Sequence, residues 1–138
     1  MYRHLLLPTD GSNLSEKAID HGVALAKALD ADITAVAVST PSSATASEPV
    51  FGSESLEQAR QHLDVVRRAA AASGVTCHAL HLKSDVIYRA IIATAEKRGC
   101  DLIVMASHGR SSISAIALGS VTAKVLSHSK IPVLVYRE

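Results

Sequence analysis

Aromatic side chains are nearly absent from this chain of 138 residues: it has no tryptophan, and Phe51, Tyr2, Tyr88 and Tyr136 are the whole set. Leu, Val, Ile and many Ala must therefore build the core, and the aromatic platform on which single-stranded nucleic acid stacks is missing. Charge of one sign is missing as well. With 14 Lys and Arg against 13 Asp and Glu, the net charge of +1 lacks the electrostatic footprint of a nucleic-acid binder. Only Cys77 and Cys100 are present, neither in a CxxC pair nor beside a histidine at metal-ligand spacing, so neither a disulfide framework nor a metal site is expected. Both cysteines read as reduced, buried, small hydrophobes. Nor does any apolar run approach the roughly 20 residues that span a bilayer. Arg3 and His4 break the start before Leu5, and a cytoplasmic location without membrane association is expected.

What is present suits one domain over residues 1–138, a common domain size, with an apolar share of 48%. His4 to Thr9 is a continuous apolar run closed by Pro8, Asp10 and Gly11, the pattern of a strand buried on both faces. Asn13 followed by Glu16 reads as a helix start, and Ala18, Ile19, Gly22, Leu25, Ala26 and Leu29 recur at helical spacing. Ile33 to Val38 is a second strand, and Pro41 to Gly52, rich in Ser, Ala, Thr and Pro, is the one long loop. Leu56, Ala59, Leu63, Val66 and Ala70 mark a second helix, closed by Gly74 before a strand from Val75 to Leu82. Ser84 and Asp85 start a third helix through Ile87, Ala90, Ile91, Thr94 and Ala95, which Gly99 ends. Asp101 to Ala106 is the fourth strand. A Gly/Ser-rich stretch leads into a fourth helix through Val121, Val125 and Leu126, and Pro132 opens a last strand, Val133 to Tyr136, whose leading proline favours an edge. This alternation predicts an α/β fold: a mostly parallel sheet with helices on both faces.

In such sheets ligands bind beyond the carboxyl ends of the strands, where the strand order reverses. Two exits stand out: Pro8-Thr9-Asp10-Gly11-Ser12, and Ala106-Ser107-His108-Gly109-Arg110 with Gly119-Ser120 inside the next helix. A glycine within a helix costs about 1 kcal/mol relative to alanine, so Gly119 needs a reason such as the close approach of another group. A phosphate is one such group, cradled by loop amides near Gly109, the hydroxyls of Ser107 and Ser120 and the positive end of a helix. A chain turn at Gly109 and a packed neighbour at Gly119 serve equally well. Asp10 reads as a turn residue or a ligand contact, Arg110 as a solvated charge or a phosphate partner, and His108 as a solvated loop residue or a neighbour of phosphate or ribose. The other histidines, including His62, His78 and His81, read as surface residues. No Walker lysine follows Gly119, and GxGxxG and GxSxG motifs are absent, so no catalytic residues are assigned.

Four blocks together, LLLPTDGSNLSEKA, DLIVMASHGR, LGSVTAKVL and PVLVYR, resemble the universal stress protein family in order and spacing across nearly the whole chain. The resemblance implies a five-stranded parallel sheet of order 3-2-1-4-5, Rossmann-like and close to the adenine nucleotide alpha-hydrolase fold. It implies a stress-response module that binds ATP or a related adenine nucleotide, with any divalent cation held through the phosphates and with slow hydrolysis at most. Pro8, Thr9, Asp10 and Val38 would surround the adenosine, while Met105, Ala106, His108, Gly109, Arg110, Gly119, Ser120 and Val121 line the strand exit and the phosphates. A homodimer through the C-terminal strand and an unidentified protein partner are also implied. The ATP-binding branch carries a glycine, two residues, a glycine, nine residues, then glycine with Ser or Thr; this chain has Ala106 in the first place, then Gly109, Gly119 and Ser120. The alternative is a dimeric interaction protein of the same fold with a vestigial cleft. Ala106 is expected either to strain a backbone that needs positive φ or to crowd the ligand.

Overall fold

A computed structural model describes residues 1–40, 56–108 and 118–137. Strands and helices alternate along it: β1 (His4–Pro8), α1 (Asn13–Leu29), β2 (Asp32–Ser39), α2 (Leu56–Ala72), β3 (Cys77–Lys83), α3 (Ile87–Lys97), β4 (Leu102–Ala106), α4 (Ser120–His128) and β5 (Val133–Tyr136). All strand pairings are parallel, and the order is β3-β2-β1-β4-β5, as the resemblance implies. The stretch from Pro41 to Gly52 lies outside the described residues.

The continuous apolar runs are strands buried on both faces. Leu5 and Leu7 of β1, Ile33, Ala35 and Ala37 of β2, and Leu102 and Val104 of β4 meet Ile19, Val23 and Ala26 of α1 and Ala59, Leu63 and Val66 of α2. The alternate residues Leu6, Val36, Val38, Ile103 and Met105 face Ile91 and Ala95 of α3 and Val125 of α4. Chain direction explains the two layers. The sheet grows from β1 to β3 through α1 and α2, then returns past β1 to β4 and β5 through α3 and α4, and right-handed crossovers put the two directions on opposite faces. The order thus reverses between β1 and β4.

Helix ends depart from the expected signals in two places. Helix α1 is capped by Ser12, whose Oγ accepts the Ser15 amide at 3.2 Å, so Asn13 is the first helical residue and not the cap. Helix α3 begins at Ile87, because Ser84 spends its hydroxyl in a local turn with the amide and carbonyl of Val86 rather than as a cap. The C-termini match better. Gly74 and Gly99 take φ of +72°, and the following amides of Val75 and Cys100 reach back to Ala70 and Ala95 at 2.9 and 2.8 Å. Asp30 closes α1 with the same left-handed turn at φ 55°.

Candidate functional site

The exit of β1 is a loop that organises itself. The Thr9 amide extends the ladder to the Val36 carbonyl at 2.9 Å, and the Thr9 hydroxyl accepts the Gly11 amide at 3.2 Å and the Ser15 hydroxyl at 3.1 Å. Asp10 accepts the Ser12 amide on Oδ1 at 3.0 Å, the local turn that Asp favours. Thr9 and Asp10 are only 4% and 3% exposed, so both are buried polar groups at the mouth of the sheet. Gly11 sits beneath the His62 ring of α2 with φ +78°, and a Cβ there would run into the imidazole. His62 is therefore a half-buried neighbour of this loop, not the surface residue expected.

The exit of β4 is equally well bonded. Thr122 donates its hydroxyl to the Ala106 carbonyl at 2.8 Å, the Ser107 amide donates to Tyr136 at 2.9 Å, and the Gly119 amide donates to the Ser107 carbonyl at 2.7 Å. Ser107 Oγ and His108 Nδ1 lie 3.1 Å apart. Gly119 caps α4 with φ −64° and is not inside the helix. Its lack of a side chain has a visible cause: a Cβ would stand 3.0 Å from His108 Cα and 3.4 Å from the Ser107 carbonyl oxygen. The close-approaching group is the protein's own backbone.

Ala106 resolves one expectation. Among the described non-glycine residues only Asp30 has positive φ, so Ala106 ends β4 in ordinary extended backbone without strain. Its methyl lies with Leu14, Ala18 and Tyr136 on the α1 side. Val38 and Met105 point the other way, into the layer of α3 and α4, so their side chains belong to the core and only their backbones face the strand ends. Ser120 is exposed at the first turn of α4, and Val121 is half-buried. Pro8, Thr9, Asp10 and Val38 thus gather at the ends of β1 and β2, and Met105, Ala106, His108, Gly119, Ser120 and Val121 at the neighbouring end of β4. Gly109 and Arg110 lie outside the described residues.

Sequence reasoning missed a second polar pair at the same end of the sheet. Ser39 Oγ and His81 Nε2 are 2.7 Å apart, joined because β2 and β3 pair with Ala37 beside His81 and Ser39 beside Lys83. Burial first, then the positive charges of Lys83 and Arg60, hold the His81 imidazole below its usual range. The signal available was the two-residue alternation that puts His81 and Lys83 on one face of β3. His78, on the opposite face, is exposed as expected.

Other chemistry is quiet. Burial pushes the Cys100 thiol up to about 11 and also raises Cys77, so both stay protonated. Among the described residues no group of three or more His, Cys, Asp or Glu fits a metal ion, and no helix is long and apolar enough to cross a membrane.

A doubly wound parallel sheet whose order reverses between β1 and β4, with polar loops at both exits, defines the class of α/β proteins that take ligands at the carboxyl ends of their strands. Within that class the chain belongs to the universal stress protein family, whose family model matches residues 1–137. It is 34% identical over 144 residues to universal stress protein MJ0531 of Methanocaldococcus jannaschii, covering 100% of this chain and 84% of that protein. The solved structure of MJ0577, a universal stress protein of the same organism, superposes with a TM-score of 0.84 at 28% identity, covering 100% of this chain and 97% of the other. A universal stress protein solved in complex with cAMP superposes with a TM-score of 0.75 at 26% identity, covering 99% and 97%.

Proposed function

We propose that this chain, as one domain over residues 1–138, is a cytoplasmic stress-response module that binds ATP or a related adenine nucleotide at the carboxyl ends of β1 and β4. The observation that carries the reading is the buried pair Thr9 and Asp10, held by the loop's own hydrogen bonds at the point where the strand order reverses. Pro8, Thr9, Asp10 and Val38 hold the adenosine; Met105, Ala106 and His108 line the exit; and Gly109, Arg110, Gly119, Ser120 and Val121 take the phosphates, which carry any divalent cation. The similar protein solved with cAMP supports an adenine nucleotide as the ligand class. The chain's own groups bind and orient, and hydrolysis is slow at most. Mass spectrometry of small molecules released from the purified protein should find about one adenine nucleotide per chain; repeated purification without any would remove the basis for this reading.

A second reading has its own observation. The Gly119 amide already donates to Ser107, and the space a side chain would need is filled by His108, which favours a cleft closed by its own backbone and a protein that acts through its surfaces. Both readings share a homodimer through β5 and a further protein partner. β5 is an edge strand, and its Leu134 is 46% exposed, a combination that invites pairing with a second copy. Sedimentation should find a dimer that Leu134→Asp dissociates; a monomeric parent would count against both.

A further inference from the structure

Away from the strand ends, α3 and α4 flank an open groove of about 330 Å³, at the lower end of the range for small-molecule sites. Tyr88, Ile92 and Glu96 follow one another at four-residue spacing along α3, with Arg89 and Ala93 one step round the helix, so five side chains form a single strip. Ile91 and Ala95 turn inward to the core. The small Ala93 leaves the space open, Ile92 makes an apolar floor, and the ring of His128 from α4 faces Tyr88 with centroids 4.9 Å apart. His128 is held by the hydrogen bond from Nδ1 to the Lys124 carbonyl at 2.8 Å, which leaves Nε2 as its other polar atom.

Two cations flank the Tyr88 ring at this groove. Lys124 Nζ lies 5.7 Å and Arg89 Cζ 5.8 Å from the Tyr88 ring centre, and Arg89 Nε donates to the Tyr88 hydroxyl at 3.3 Å. Among the described lining residues Arg89 is the permanent cation and Glu96 the carboxylate, and Lys124 adds a second cation at the rim beside Tyr88. We propose that the groove between α3 and α4 binds a small organic anion, its apolar body resting on Ile92 and Ala93 against Tyr88 and its acidic group meeting Arg89 and Lys124. Cations beside an apolar floor are what select an amphipathic anion over a neutral ligand. None of these residues belongs to the strand-end cleft, so the assignment is independent of nucleotide binding.

Fluorescence titration of the full chain with anilinonaphthalene sulfonate tests it. One saturable site per chain is expected, weakened about tenfold when Arg89→Gln and Lys124→Gln are combined and lost in Ala93→Phe, which fills the groove from the exposed side of α3. Should Ala93→Phe fail to fold, the charge-removing pair decides alone. Unchanged affinity in these variants, or equal affinity for the neutral phenylnaphthylamine, would overturn the proposal. So would displacement of the dye by a glutamate-rich peptide but not by phenylacetate, which would make the groove a protein-docking surface.

Discussion

At the amino end of the sheet, the Asp101 carboxylate takes the Arg3 amide at 2.9 and 3.1 Å and the His4 amide at 3.0 Å, while His4 Nε2 lies 2.7 Å from the Thr34 hydroxyl. These bonds tie the start of β1 to the start of β4, 97 and 98 residues away, and to the middle of the amino half of β2. At the carboxyl end of β1, Thr9, Asp10, Gly11, Ser12 and Ser15 bond to one another within six residues. One end is thus a staple between distant segments, and its loss is felt by the whole fold. The other is a loop held by its own hydrogen bonds. Polar groups at both ends are buried or half-buried, so burial alone does not mark a site; the short range of its side-chain hydrogen bonds sets the β1 exit loop apart from the Asp101 staple.

The largest effect should come where the carboxyl end is itself tight. Gly119→Val drives a branched side chain into the His108 backbone, and overpacking of that kind costs about 1–3 kcal/mol. Thermal melting should register that loss, and calorimetric titration should show no ATP binding. A variant as stable as the parent would mean that the loop yields easily. Asp101→Ala comes next. Removing a carboxylate that holds two amides should cost about 1–2 kcal/mol, the lower part of the range for charged hydrogen bonds because the site is partly open to solvent, with nucleotide affinity unchanged. Chemical denaturation measures the first and titration the second.

The two ends should also respond to pH in different windows. Burial works against the Asp101 charge, but the amides of Arg3 and His4 outweigh it and leave the carboxyl below its ordinary 3.8. Its contribution is present above that value and lost as pH falls through the lower folded one. His81 at the other end is held below its ordinary 6.5, so the neutral form is favoured by folding, and stability falls as pH drops from 6.5 toward the folded value. Melting temperatures measured across mildly acid pH should show this slope in the parent and not in His81→Gln. Ala106→Gly should do least. The methyl is unstrained and packed on Leu14 and Ala18, so its removal should cost about 0.5–1 kcal/mol of stability and tighten ATP binding by no more than about threefold.

Much of the fold was legible because the signals are local. Leu5, Leu6 and Leu7 declare a strand buried on both faces, and Gly74 and Gly99 mark helix ends by the backbone they permit. The start of α3 was not legible, since Ser84 serves a turn or a cap with the same residue type and only the backbone decides. Gly119 was misjudged for a related reason. Between His108 and Ser120 the sequence has no periodicity to say where the helix begins, so a capping glycine looks like an interior one. Alternation along β3 gives the face of His81, but its pairing with Ser39, like that of Arg3 with Asp101, depends on strand register and on a crossover. That Thr9 and Asp10 stand where the strand order reverses is expected only through the family resemblance, because the alternation of strands and helices does not fix which strands are neighbours.

Calorimetric titration of ATP into the parent, Asp10→Ala and Asp101→Ala tests the central contrast most directly. One ATP per chain should bind the parent and Asp101→Ala alike, and Asp10→Ala should bind at least about tenfold more weakly. No binding to the parent at millimolar ATP, or equal affinity for Asp10→Ala, would contradict the assignment of the carboxyl end as a nucleotide site.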